Sequence, residues 1–221
     1  MGRKIVFLVS KIVMAVFFRV RIEGSEHLPD SGPGIIAINH IGRLDVFLVI
    51  AALKRDDISG WVAEKYQKVP GMKWLVGLID GIWIDRFNVD LKAMRQAQNY
   101  LKAGGLLGIA PEGTRSPERS LIKGKQGLAY LAATTGAPVI PAGVAIPKNC
   151  GYRALCLMRP KVSLVIGEPF TLPPLERATR EQALEKGTEE IMCRIAALIP
   201  ENYRGVYRQN PRLAELLSLK V

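Results

Sequence analysis

The chain is 221 residues long, enough for one sizeable α/β domain with its own core and short for two. Its formal net charge of +11 suits polyanionic partners: nucleic acid, anionic lipid headgroups or phosphorylated substrates. The cysteines, Cys150, Cys156 and Cys193, are odd in number and lack C-x-x-C spacing, which argues against a disulfide framework or a zinc site and fits a reducing cytoplasm.

The first 22 residues hold Arg3, Lys4, Lys11, Arg19 and Arg21 and no acidic residue, with apolar runs at 5–9 and 12–18 between them. On a helix Lys4, Lys11 and Arg19 share one stripe. No run reaches the ~20 apolar residues of a bilayer span. A signal peptide fits poorly, because Lys11 interrupts the apolar stretch and no A-x-A cleavage site follows. Residues 1–20 therefore read as an amphipathic helix lying in a membrane interface, its basic stripe turned to anionic lipid. A helix packed on the protein's own core is the alternative.

Further along, short apolar runs rich in β-branched residues recur at 17–22, 34–39, 81–85, 106–110, 139–144 and 162–167. Helical periodicity falls between them at 45–53, 90–103 and 127–135, with another helix near 180–198 and a short apolar tail at 213–219. Strands that are apolar throughout, rather than alternating, are buried on both faces. The expectation is an α/β fold: a single domain over residues 21–221, with a mainly parallel mixed sheet flanked by helices. No repeat or linker divides it.

Ligands of open α/β sheets sit beyond the carboxyl ends of the strands. By that rule His40 follows one strand, Asp85 and Arg86 end another, and 111–115 (Pro-Glu-Gly-Thr-Arg) follow a third. His27 lies in a polar turn and reads as solvated. His40 and Asp45 would stand about 140° apart on one helix. His40 therefore belongs in the turn and Asp45 in the first turn of the next helix, where Gly42 permits the bend. There Asp45 can fold back onto one imidazole nitrogen and leave the other as a general base. A core histidine beside a helix-start aspartate is equally compatible with the pair taken alone. The chain has no G-x-S-x-G elbow, so a catalytic His40 activates a substrate hydroxyl more plausibly than a protein nucleophile.

Asn39-His40-Ile41-Gly42-Arg43-Leu44-Asp45 resembles the N-H-x-x-x-x-D block of the glycerophosphate and lysophosphatidic acid acyltransferases. Three further blocks follow in that family's order: 81–86 (GIWIDR), 111–116 (PEGTRS) and 137–141 (APVIP). The resemblance implies that His40 takes the proton of an acceptor hydroxyl while that hydroxyl attacks an acyl thioester on coenzyme A or acyl carrier protein. Asp45 would orient His40, with backbone N–H groups near the catalytic turn stabilising the oxyanion. Gly113, Thr114 and Arg115 would hold the acceptor phosphate, Glu112 would orient Arg115 or a hydroxyl, and Arg86 and Lys125 would add charge. A functional lysine between the first two blocks falls best on Lys65, with Lys68 competing. Pro138 and Pro141 read as structural. Trp61, Trp74, Leu75, Leu78 and Trp83 are candidates for an acyl channel. The resemblance implies no cofactor or metal; the expected partners are lysophosphatidic acid, acyl-CoA or acyl carrier protein, and a phospholipid surface at the cytoplasmic face of the cell membrane. Another lysolipid is the alternative acceptor. A nucleic-acid partner is not expected, since zinc spacing, RNP aromatics and helix-turn-helix pattern are all missing.

Overall fold

A computed structural model describes residues 2–42, 44–88 and 90–219. In chain order the strands are β1 (Arg19–Glu23), β2 (Gly34–Ile38), β3 (Ile58–Ala63), β4 (Ile82–Ile84), β5 (Leu106–Ile109), β6 (Val139–Ala145) and β7 (Lys161–Ile166). The helices are α1 (Gly2–Phe17), α2 (Asp45–Ala52), α3 (Met72–Leu78), α4 (Leu91–Lys102), α5 (Gly127–Thr135), α6 (Cys150–Leu155), α7 (Arg180–Ala197) and α8 (Pro211–Ser218). They build one seven-stranded sheet in the order β1-β7-β6-β2-β5-β3-β4. Every neighbouring pair is parallel except β6 with β7.

The central strand β2 shows why the sequence does not alternate. Ile35 and Ala37 point into one apolar cluster, built with α4, α5 and α7. Ile36 points into a second cluster on the other face, built with α1, α2 and α6. Both faces bury hydrocarbon, so each position of Gly-Ile-Ile-Ala-Ile is apolar or small. The expected mainly parallel mixed sheet, flanked by helices, is the observed one.

β3, α3 and α6 were not anticipated, and the expected apolar tail is the helix α8. β3 reads Ile-Ser-Gly-Trp-Val-Ala, and Ser59-Gly60 breaks its apolar run. A Cβ at Gly60 would lie 3.0 Å from the Gly108 carbonyl oxygen on β5, so the closeness of the strands selects the residue that hides the strand.

The N-terminal helix also corrects an expectation. α1 ends at Phe17 and Arg19 already belongs to β1, so Arg19 is not on the helical stripe. Lys11 turns inward and donates from Nζ to the Leu53 carbonyl (2.7 Å) at the C-terminus of α2, where a helix dipole favours a cation. Arg3 donates to the Asp80 carboxylate (2.7 Å) and to the Ile58 carbonyl at the start of β3. Phe7, Ser10 and Met14 are buried, and the outward side carries Ile5, Leu8, Val9, Ile12 and Val16. Among the described residues no helix is long and apolar enough to cross a membrane.

Candidate active site

β2 delivers Asn39 and His40 to the carboxyl edge of the sheet. Asn39 is fully buried and clamps β6 from both sides: its amide donates to the Val144 carbonyl (2.9 Å) and its oxygen accepts from the Val144 N–H (2.7 Å). The chain then bends through Ile41 and Gly42 into α2, whose first residue is Asp45. His40 Nδ1 meets Asp45 Oδ2 at 2.8 Å. The same oxygen accepts from the backbone N–H groups of Ile41 and Gly42, each at 3.0 Å. Asp45 is 1 % exposed, and a carboxylate buried at a helix start is stabilised by such donors and by the helix dipole. An ionised carboxylate only accepts, so Nδ1 is the donor and Nε2 keeps its lone pair. The imidazole is 29 % exposed.

Glu112 differs from its expected orientation. It does not turn to Arg115 but accepts from the His40 backbone N–H with Oε1 (2.7 Å) and from the Ile122 N–H with Oε2 (3.1 Å). The His40 carbonyl in turn accepts from the Ser116 N–H (2.9 Å). Both backbone polar groups of the histidine are thus tied to the loop after β5. Burial pushes the Glu112 carboxyl up to about 7, against the two N–H bonds that favour its ionised form. The oxyanion expectation changes with it: the N–H groups of His40, Ile41 and Gly42 are all engaged with carboxylates and are not free for a developing charge.

Around this turn the structure gathers the expected cations. Gly113 takes φ +68°, a conformation glycine adopts without strain, and the Lys125 side chain lies across it. Arg86, just past β4, donates to the Gly113 carbonyl (3.1 Å), and Lys125 donates to the Arg86 carbonyl (2.8 Å). Arg115 donates to the Tyr66 hydroxyl (2.8 Å). Tyr66 sits in a 3-10 turn, Glu64–Lys68, that follows β3 at the same edge. Lys65 and Lys68 are exposed on that turn, with Lys65 Nζ 5.2 Å from the Tyr66 ring centre, and Thr114 is exposed beside Arg115. Tyr66 was not foreseen, because the strand that presents it was not.

The aromatic candidates for an acyl channel separate. Trp61 packs against the core beneath α4 and α5 with its indole N–H unpartnered, whereas Trp74 on α3 is 68 % exposed. The two do not line one buried channel.

The assembled edge defines a class: an α/β fold whose sheet edge carries a histidine bonded to a buried aspartate, next to a rim of arginine and lysine. Residues 19–145 match the family model described as Acyltransferase, and the chain belongs to that family of enzymes. It is 27 % identical over 191 residues to the 1-acyl-sn-glycerol-3-phosphate acyltransferase of Bacillus subtilis, covering 85 % of this chain and 92 % of that one. The Pseudomonas aeruginosa protein of the same name is 29 % identical over 135 residues, 60 % of this chain and 51 % of its own length. The human alpha form is 28 % identical over 130 residues, which make up 44 % of it. The chain thus spans nearly all of the Bacillus relative and about half of the others. The crystal structure of the 1-acyl-sn-glycerophosphate (LPA) acyltransferase PlsC from Thermotoga maritima superposes with a TM-score of 0.62 at 27 % identity, over 86 % of this chain and 80 % of that one.

Proposed function

We propose that this acyltransferase moves an acyl group from a thioester, carried by coenzyme A or acyl carrier protein, to the sn-2 hydroxyl of lysophosphatidic acid, giving phosphatidic acid. The observation that carries the reading is the His40–Asp45 pair beside the Arg86, Arg115 and Lys125 rim. The names of the relatives agree with it.

In this reading His40 Nε2 takes the hydroxyl proton as the oxygen attacks the thioester carbonyl, so that a C–O bond forms and negative charge moves to the carbonyl oxygen. Collapse of that adduct breaks the C–S bond, and the imidazolium returns its proton to the leaving thiolate. Asp45 holds the ring and offsets its transient charge. Arg115 and Arg86 hold the acceptor's phosphate with their guanidinium donors. The acceptor is a lipid, and α1 turns Ile5, Leu8, Val9, Ile12 and Val16 outward. That face rests on the bilayer as a peripheral anchor at the cytoplasmic face, with hydrocarbon rather than a basic stripe as its main contact.

The direct test is acyl transfer from acyl-CoA and from acyl carrier protein to lysophosphatidic acid, with lysophosphatidylcholine as comparison. Transfer to the phosphomonoester acceptor is expected to exceed transfer to the choline lipid at least tenfold. Equal rates would remove the rim from acceptor recognition, and no transfer from either carrier would overturn the reading.

A further inference from the structure

The connection between β6 and β7 has no part in the chemistry above, and its composition is unusual. From Arg119 to Gly167 the chain contains no acidic residue. Within that stretch α6 and the turn after it expose Tyr152, Leu155, Leu157 and Met158, each between 56 % and 81 % accessible. Lys148, Arg153, Arg159 and Lys161 are exposed among them. Leu157 and Arg159 both take positive φ, at 55° and 42°, so the apolar tip is held on a tight, strained turn. The segment is not loose: Cys150 and Ala154 are buried in the cluster that contains Ile41 and Ile146.

Topology puts this tip beside the catalytic turn. β6 runs parallel to β2, so its carboxyl end, followed by α6, lies at the His40 edge, and a Cβ on Gly42 would come within 3.8 Å of the Ile146 side chain. β7 is antiparallel to β6 and therefore starts at the same edge. Arg159 bridges to the membrane-facing helix, donating to the Ala15 carbonyl (2.7 Å) at the end of α1.

We infer that residues 148–161 form a second membrane contact, inserting Leu155, Leu157 and Met158 into an anionic bilayer at the mouth of the active site. The inference rests on the membrane reading of α1 given above but concerns a separate element. Exposed large apolar side chains interleaved with cations, and no carboxylate, match a surface of hydrocarbon beneath negative headgroups. A protein partner would be a poorer match, because the cores of protein interfaces are depleted of lysine. The location adds a reason: the tip lies at the same edge of the sheet as His40, so a bilayer beneath it brings lipid to the side of the molecule that carries the histidine.

Cys156 lies in the tip and is exposed, whereas Cys150 and Cys193 are buried, so a thiol-reactive, polarity-sensitive fluorophore reports on Cys156 in the full-length protein. With vesicles of phosphatidylcholine and phosphatidylglycerol its emission is expected to shift to the blue and to be quenched by brominated acyl chains. Leu155→Gln with Met158→Gln should weaken vesicle partitioning roughly ten- to hundredfold, because two side chains lose their transfer into hydrocarbon. Thermal melts should not change, since both side chains are exposed. Val9→Gln with Ile12→Gln tests α1 in parallel. If the α1 pair abolishes binding while the tip pair leaves partitioning and emission as in the wild type, the tip proposal fails and the anchor stands. If neither pair alters binding, the membrane reading of α1 fails as well. A tip variant that binds vesicles normally but dissociates a dimer in light scattering, or loses only a carrier-protein complex, would assign the patch to a protein partner and overturn the inference.

Discussion

The His40 turn and the cationic rim lie next to each other and are held in opposite ways. In the turn Asn39, Asp45 and Glu112 are buried, and the backbone N–H groups of residues 40–42 all end on carboxylates. In the rim Arg86, Arg115 and Lys125 are half-buried or exposed, and each is held by a neutral acceptor: the Gly113 carbonyl, the Tyr66 hydroxyl and the Arg86 carbonyl. A charge-assisted bond to phosphate is roughly twice as strong as one to a neutral oxygen, so an arriving phosphate can displace those partners. In the proposed reaction the histidine is therefore set before substrate arrives, whereas the rim exchanges its partners. Buried networks suit a group that must not move, and exposed neutral contacts suit one that must let go.

The sharpest way to break this contrast is at the base. His40→Ala should lower turnover by roughly 10²–10⁴ while leaving the melting temperature near the wild type, because the imidazole is partly exposed and bonded only at its edge. Turnover within tenfold of wild type would remove His40 from the chemistry.

Glu112 tests whether the turn depends on a buried carboxyl. Its folded pKa of about 7 lies above the ordinary 4.5, so the folded state holds the proton more tightly than the unfolded chain does. The sign follows: this group's contribution to stability is greatest at low pH and declines as pH rises from about 4.5 to about 7. The decline is on the order of 3 kcal/mol, at about 1.4 kcal/mol per pH unit. Glu112→Gln carries no such proton, so urea melts from pH 4.5 to pH 8 should show the extra slope in the wild type alone. Parallel profiles for the two proteins would mean that the carboxyl is not buried as described.

On the rim, Arg115→Ala should raise the acceptor KM roughly ten- to hundredfold, with little change for the thioester, as loss of a charge-assisted contact predicts. A loss falling on the thioester instead would exchange the two binding sites. Tyr66→Phe removes one neutral acceptor from Arg115 and should change acceptor KM by about fivefold at most. A larger effect would show that Tyr66 contributes more than the replaceable contact described for it.

The parts read correctly from sequence are those with a one-dimensional signal. Strands buried on both faces are apolar throughout, which revealed β2, β5, β6 and β7, and the strand-end rule then grouped His40, Arg86 and Arg115. β3 was hidden because Gly60, where β5 comes close, breaks its apolar run, and with it went Tyr66. Glu112 illustrates a second limit. The motif shows a carboxylate beside an arginine, but only the folded loop shows that its partners are two backbone N–H groups. In α1 the spacing of the basic residues was visible but not the side they face. Arg3 and Lys11 find carbonyls that end other elements, at Ile58 and Leu53, and such acceptors leave no mark in the sequence.

The double tie between His40 and the loop after β5 has one more consequence. Because the His40 N–H ends on Glu112 and its carbonyl on Ser116, the histidine is fastened to the same short loop that carries Arg115. With Arg115 as the proposed phosphate contact, the backbone that carries it keeps one separation from the proposed base while its side chain is free to change partners, and the loop works as a gauge. In the proposed reaction that gauge would favour one regiochemistry: an acceptor whose free hydroxyl sits nearer to or farther from its phosphate would present its oxygen less well to Nε2.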